Sequence, residues 1–580
     1  MRIAVVTPFS WSQPHDVNEH VAGVAAELRR IGHDVTVLAP SNRAKDLRAG
    51  RRALLRSESA EVIAVGPALP ISRRSAMGVP VGVRANLAQA LARGFDVVHG
   101  FEPGLPSISN LALRDATSLS VASFFSPDRL GYPPGKAQRQ KLLARIDALV
   151  ASSAEAAAAA AERFPGDYAV IGEGIDPALF RPAKKVQRIV CEWRTGERPV
   201  PRAVVRSLAE LPGWELVLLR TKPLAGSPYV PRALQGRVHL RTARDGASRA
   251  ALLRGASIFV PAPSGLRRLR LEAAAAGCAI ADAAGVDDQP ELAAAATLRL
   301  AGDAGLREQL AADGHAAAGA QSFAAVAAEL DALYAQLATR RRPKSGRSAD
   351  PLAGRDLILV DLHMHTSWSH DCQVDVEDLL DHAEAIGLGA IAVTDHNVFA
   401  GAAAAVELAR HRDLVVIPGE EVKTDNQGEI IGLFLEEEIP RGMTFAETIA
   451  AIRAQNGIVY LPHPFDRMHA IPQSATIHRH LADIDVFEAY NARLLWEGFN
   501  DEAERFARKY GLTVGAGSDA HVLQGVGTGA LRMRRFDGPE EFLLSLRSAE
   551  IVRRPRSLVY LQSLKWVAQM KERTVKEKAR

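Results

Sequence analysis

Short apolar runs alternate with stretches of helical apolar spacing along most of the chain. Residues 3–7, 35–38, 62–65, 96–99, 120–124, 148–151 and 168–171 read as buried strands. Between the first two, Val21, Val24, Ala25, Leu28 and Ile31 fall at helical spacing, and Gly32-His33-Asp34 ends that helix. Strand, helix, strand in that order predicts a parallel sheet, because parallel neighbours need a crossover between them. After Phe180-Arg181-Pro182 a second set follows at 189–191, 214–219, 238–240, 258–261 and 279–281, with alanine-rich helices between. The pattern predicts two open Rossmann-like α/β domains, residues 1–180 and 181–339.

Residues 340–354 have linker composition: Arg340-Arg341-Arg342-Pro343-Lys344-Ser345-Gly346-Arg347-Ser348 combines Pro, Gly and Ser with like charges that repel and extend. No aromatics interleave them, which argues against a nucleic-acid arm. From Arg355 the strand pattern resumes at 357–360, 390–393, 414–417, 458–461, 484–487 and 512–514, with helices at 376–386, 445–454 and 502–510. After each of these runs come chemistry-bearing residues: His363, His365 and Asp371; Asp395 and His396; Glu420 and Glu421; His463; Glu488 and Asn491; Asp519 and His521. Strand, functional loop and helix repeated in this way predict a barrel over residues 355–557, with its chemistry at the C-terminal strand ends.

Side chains alternate along a strand, so His363 and His365 point the same way and converge on one point. Such a pair supplies half of a four-coordinate metal site. So many ionisable groups meeting at one mouth would repel one another or lose solvation without cations to hold them. Carboxylates mixed with imidazoles suit manganese, iron or zinc. Ions held there would bring the pKa of bound water near neutrality and supply hydroxide; that they are bridged and act on a phosphorus atom is what the family resemblance given below implies. Arg467, Lys423 and Arg493 are candidates to clamp the phosphate, and Asp395 to orient a ligand histidine.

The formal charge of +4 over 580 residues gives no reason to expect nucleic acid. Cys191, Cys278 and Cys372 are far apart and form no Cys-x-x-Cys, so neither a disulfide framework nor a thiolate zinc site is expected. The first residues lack a signal-peptide pattern, and the expected location is the cytoplasm. Residues 558–580 mix Leu561, Leu564, Trp566, Val567 and Met570 with six basic residues as an amphipathic helix. Packing on the barrel is favoured for it over contact with an anionic membrane surface.

The motifs His363-Met364-His365, Thr394-Asp395-His396, Pro462-His463-Pro464 and Ser518-Asp519-Ala520-His521 resemble, in order, those of the PHP (polymerase and histidinol phosphatase) family. The resemblance implies a distorted (β/α)7 barrel with two or three manganese, zinc or iron ions. It assigns His363, His365, Asp519 and a shared Glu421 to the first ion, and Asp371, His396 and His521 to the second. A third would fall to His463 with Glu488 or Asn491 and Glu421.

Residues 1–335 resemble family 4 GT-B glycosyltransferases through Arg30-Ile31-Gly32-His33-Asp34-Val35-Thr36-Val37, Asp96-Val97-Val98-His99, Gly174-Ile175-Asp176-Pro177 and Leu271-Glu272-Ala273-Ala274-Ala275-Ala276-Gly277. This implies a nucleotide-sugar donor gripped by Glu272 and met by Arg194 and Lys222. The chain departs from that family where His15-Asp16 replaces a Gly-Gly loop, Phe125 replaces a histidine, and Ser264 replaces a glutamate. The expected fold is therefore α/β, two Rossmann-like GT-B domains followed by a PHP barrel. The expected function is hydrolysis of a phosphomonoester or a nucleotide or oligonucleotide phosphoester, with hexosyl transfer as a second activity. The alternatives are a glycosyltransferase with an auxiliary barrel, or a GT-B part that only binds. No protein partner is implied.

Overall fold

The computed structural model describes the chain except residues 73–74, 78–81, 195–197, 222–228, 264–266, 283–289, 343–349, 469, 555–556, 558–562 and 564–580. The tail expected to form a basic helix thus lies almost wholly outside the described residues, as does Lys222. Two compact units divide the chain, Met1–Leu337 and Ala338–Arg580. Among the described residues no helix is long and apolar enough to cross a membrane.

The first unit holds the two expected parallel sheets. One is seven-stranded, in the order Val62–Pro67, Asp34–Ser41, Arg2–Val6, Val97–Phe101, Leu119–Phe124, Ala148–Ala151 and Tyr168–Val170. The other is five-stranded, in the order Val238–Thr242, Glu215–Arg220, Val186–Glu192, Ala256–Val260 and Ala279–Ile280. Helices cover both, which is why their central strands read as continuous apolar runs: Val6, Val98 and Ile258 are fully buried.

In the second unit Leu357–Met364, Ala390–Val393 and Val415–Lys423 run parallel, and so do Ile458–Leu461, Val486–Asn491 and Thr513–Gly517. Glu429–Leu433, which the sequence pattern did not reveal, lies antiparallel between the two groups. The ring closes where the amide of Asp519 donates to the His363 carbonyl at 2.7 Å and the amide of His365 to the Ala520 carbonyl at 3.0 Å. The other half of Leu357–Met364 instead pairs antiparallel with Gly529–Arg534, which continues to Glu550–Arg553. Val360, Ala392, Ile417, Ile431, Tyr460, Val486 and Ala516, one from each of the seven barrel strands, belong to one buried cluster. Each large one contributes about 1.5–3 kcal/mol, which offsets the burial of polar groups at the strand ends.

The expected extended linker is held on both sides of residues 343–349: Asp350 lies 3.5 Å from Arg534 Nε, and Leu352 is buried. Arg342 donates its amide to the Tyr510 carbonyl and its guanidinium to the carbonyls of Leu481, Ile484 and Asp485. A guanidinium satisfied by carbonyls is held in place despite its charged neighbours.

Candidate metal centre

Strand ends set the positions of the ligand-type residues. His363 and His365 leave Leu357–Met364 on the same side, as the two-residue period requires, with ring centroids 5.3 Å apart. Gly517 makes room for them, since a Cβ there would come within 2.3 Å of the His363 Cβ. The same alternation separates Glu420 from Glu421. Glu421 faces the histidines, whereas Glu420 accepts the Ile439 amide at 2.8 Å and burial pushes its carboxyl up to about 7. Asn397, His463 and Asp519 take left-handed backbone conformations, with φ of 54°, 25° and 52°. Such strain in non-glycine residues at strand ends is typical of functional positions.

Glu421 is the hub. One of its oxygens lies 3.0 Å from His463 Nε2, and the other lies 3.3 Å from His363 Nε2, 3.5 Å from His365 Nε2 and 3.1 Å from His396 Nδ1. Burial opposes its charge, yet His363 and His396 hold its carboxyl well below the ordinary value. Asp519 adds an oxygen 3.4 Å from His365 Nε2. Asp371 lies 3.0 Å from His521 Nε2 and 3.8 Å from His396 Nε2.

The hydrogen bonds behind the rings assign their tautomers. His521 Nδ1 donates to the Asp519 carbonyl at 3.0 Å. His363 Nδ1 donates to Glu488 at 3.1 Å. His365 Nδ1 donates to Ser369 Oγ at 3.3 Å, because the Ser369 proton goes to Asp395 at 2.7 Å. In all three, Nε2 faces the centre, so that with the proton on Nδ1 a bound cation would meet the Nε2 lone pair, the arrangement of metal-ligating histidines. His365 Nε2 is buried and makes no hydrogen bond, and burial, followed by the neighbouring His521 ring, lowers its pKa well below 6.5. A neutral imidazole with an unused lone pair facing two carboxylates fits a divalent cation. Among the described residues, four triads have ligand atoms mutually within 4.8 Å: His365, His396, His521; His363, His365, Asp519; His363, Glu421, His463; and His396, Glu421, Glu429.

Glu488 and Arg467 stand away from the positions expected of them, and Asp395 sits behind a ligand-type histidine. Glu488, expected to hold a third ion, sits behind His363, where its oxygens accept from Tyr460 Oη at 2.8 Å, the His463 amide at 2.6 Å and Asn491 Nδ2 at 3.1 Å. Asp395 reaches His365 only through Ser369 and otherwise binds the amide and hydroxyl of Thr366 at 2.7 and 2.6 Å. Arg467 is exposed. Arg493 instead enters the site, its Nη1 donating to Asp519 at 3.0 Å and lying 3.3 Å from His521 Nε2. Glu429, which sequence reasoning missed, lies 3.8 Å from His463 Nε2 and 4.0 Å from His396 Nδ1. The turn Asn426-Gln427-Gly428, followed by apolar Ile430 and Ile431, was the available signal for its strand.

In the first unit a cleft of about 960 Å³ is lined by residues of both sheet domains, among them Arg194, Arg129 and Asp16. Glu272 is fully buried, and its two oxygens pair with Arg249 at 2.5 and 2.6 Å and with Arg268 at 3.1 Å.

Family models match along both units: "Glycosyltransferase Family 4" at residues 17–179, "PHP domain" at 361–496 and "PHP-associated" at 497–551. An uncharacterized protein of Methanocaldococcus jannaschii is 32% identical over 213 residues, covering 34% of this chain and 84% of that one. A phosphatidyl-myo-inositol mannosyltransferase of Propionibacterium freudenreichii is 32% identical over 235 residues, covering 40% of this chain and 59% of that one. A solved sucrose-phosphate synthase from Thermosynechococcus elongatus aligns with a TM-score of 0.43 at 16% identity, covering 58% of this chain and 99% of that one. The chain belongs to the PHP family through its second unit and carries a Glycosyltransferase Family 4 domain in its first.

Proposed function

We propose that residues 355–557 form a divalent-metal-dependent phosphoesterase acting on a phosphomonoester or a nucleotide or oligonucleotide phosphoester. The observation that carries this reading is Glu421, one carboxylate facing His363, His365, His396 and His463 at 3.0–3.5 Å. His363, His365, Glu421 and Asp519 would hold one ion, and Asp371, His396 and His521 a second. His463 and Glu429 would join Glu421 at a third. Mixed imidazole and carboxylate donors suit manganese, zinc or iron. Bound there, the ions would lower the pKa of a coordinated water and offset phosphoryl charge.

The chain's own groups orient and clamp. Arg493 is placed to donate to a phosphoryl oxygen beside Asp519, and a planar fork suits that task better than an ammonium. Asp395, through Ser369, fixes the ring of His365, and Glu488 fixes that of His363. For the first unit, which carries a Glycosyltransferase Family 4 domain, hexosyl transfer is the second proposed activity, and the engagement of Glu272 by Arg249 and Arg268 is what favours the alternative of a module that only binds.

Elemental analysis of untagged protein, beside phosphate release from an aryl phosphate and a nucleotide panel, tests the reading. About two or three metal equivalents are expected, with release lost when His365→Ala and Asp519→Ala are combined. Release that survives that double substitution would falsify the site.

A further inference from the structure

Four large apolar side chains of the second unit stand exposed on loops that leave its strands at the metal-ligand end. Trp368 follows Leu357–Met364, Met468 follows Ile458–Leu461, and Leu495 and Trp496 follow Val486–Asn491; their exposures are 50%, 62%, 63% and 65%. Around the ring these strands share one arc, with Thr513–Gly517 alone between Val486–Asn491 and Leu357–Met364. The loop after Thr513–Gly517 has no exposed residue over 518–528, so it does not part the four. Each loop is tied down. The Trp368 amide donates to Thr366 Oγ1 at 3.3 Å, the Met468 amide to Asp466 at 3.0 Å, and the Phe499 amide to the Trp496 carbonyl at 3.0 Å. The Trp368 ring also rests on Gly401, where a Cβ would lie 3.0 Å from its Cδ1. Single apolar residues on a surface are ordinary, but four held along one arc mark a contact surface.

Cationic groups share the arc. Arg467 is exposed beside Met468, and Arg493, 33% exposed, precedes Leu495 on the same loop. Glu497, next to Trp496, is paired with Arg553 at 2.8 Å. Arg553 closes the last strand, Glu550–Arg553, so the chain leaves that strand at this same end. Residues 558–580 follow, with six basic and two acidic side chains beside Leu561, Leu564, Trp566, Val567 and Met570. Indole rings settle at headgroup level in a bilayer, and basic residues are drawn to anionic lipid phosphates. We propose that this arc is a docking surface for an anionic lipid bilayer. Trp368, Met468, Leu495 and Trp496 would seat among the headgroups and Arg467 would meet their phosphates, so that the metal centre opens toward the membrane. A bilayer also suits the mixed apolar and basic composition of 558–580, for which the sequence alone favours packing on the barrel. The surface stands apart from the phosphoesterase reading, since none of the four side chains is a proposed ligand or clamp.

The test is co-sedimentation of the full chain with vesicles of phosphatidylcholine alone and of phosphatidylcholine mixed with phosphatidylglycerol. The wild type is expected to bind the anionic vesicles in preference to the neutral ones. Leu495→Ser combined with Trp496→Ser should weaken that partitioning about tenfold or more, and Met468→Ser, on a separate loop, should weaken it in the same direction. Three results would each overturn the proposal: no binding of the wild type, equal binding to both compositions, or unchanged binding of the double variant. The last would move the membrane contact to residues 558–580 or another surface. A wild-type dimer that the double variant loses, with no vesicle binding, would assign the arc to a second copy instead. Metal content and thermal melts of the double variant should match the wild type, because both side chains are exposed. They separate loss of the surface from loss of the fold.

Discussion

Glu488 Oε1 lies 3.1 Å from His363 Nδ1, on the ring nitrogen opposite the one that faces Glu421. The carboxylate therefore holds the ring rather than sharing its ligand. All of its described partners are donors: Tyr460 Oη, the His463 amide and Asn491 Nδ2.

Glu488→Gln would turn an amide NH2 toward some of those donors. It is expected to lower metal affinity about 10–100-fold while leaving the ligand set intact. Tyr460→Phe, which removes one donor, should have a smaller effect in the same direction. Competition with a chelator measures both, and unchanged affinity in Glu488→Gln would remove its positioning role.

Glu421 and Glu420 make a direct internal control. Glu421→Ala should lose at least half of the bound metal and about 100-fold or more in phosphate release, because one carboxylate faces four imidazoles. Glu420→Gln resembles the neutral form that burial favours and keeps an acceptor for the Ile439 amide, so metal content should stay within about twofold. Equal losses in the two would contradict the assignment of faces.

For phosphate recognition, Arg493 and Arg467 separate by position. Arg493→Lys keeps the charge but loses the fork, and should raise KM about tenfold with metal content unchanged. Arg467→Met, on an exposed residue, should alter neither. The reverse pattern in steady-state kinetics would return the clamp to Arg467.

His99 carries a pH prediction in the first unit. It is buried between Tyr334 Oη at 2.6 Å and Ser123 Oγ at 2.7 Å, and burial pushes its pKa down to about 3. An unfolded chain protonates it near 6.5, so between pH 6.5 and 3 the unfolded state binds a proton that the folded state refuses. Its contribution to stability is complete above pH 6.5 and falls by about 1.4 kcal/mol per pH unit below. His99→Gln should be less stable at pH 7.5 by about 1–3 kcal/mol, and the gap should narrow as pH falls. Denaturant melts across that range check it, and a gap independent of pH would mean that His99 is not held neutral.

The barrel was legible because a strand period of two and a repeated order of strand, loop and helix survive in sequence. His363 and His365 needed nothing more to be placed on one side. Choosing Glu421 over Glu420 rested on a family pattern, and alternation along Val415–Lys423 supplies the physical reason. Glu429 was not legible, since its strand runs against the repeat and carries one acidic residue among apolar ones. The ligand role expected of Glu488 rested on its place at a strand end, and sequence does not say that Tyr460 and the His463 amide wait there as donors.

The barrel's ring is sealed at its metal-ligand end by the amides of Asp519 and His365, each bonded across to the opposite segment. The side chains of these same two residues lie 3.4 Å apart and are proposed ligands of one ion. An ion there would act as a rivet across the seam, so opening the ring would require releasing it. Hydrogen exchange at those two amides should quicken when a chelator strips the protein and slow when metal returns, reporting occupancy with no substrate present.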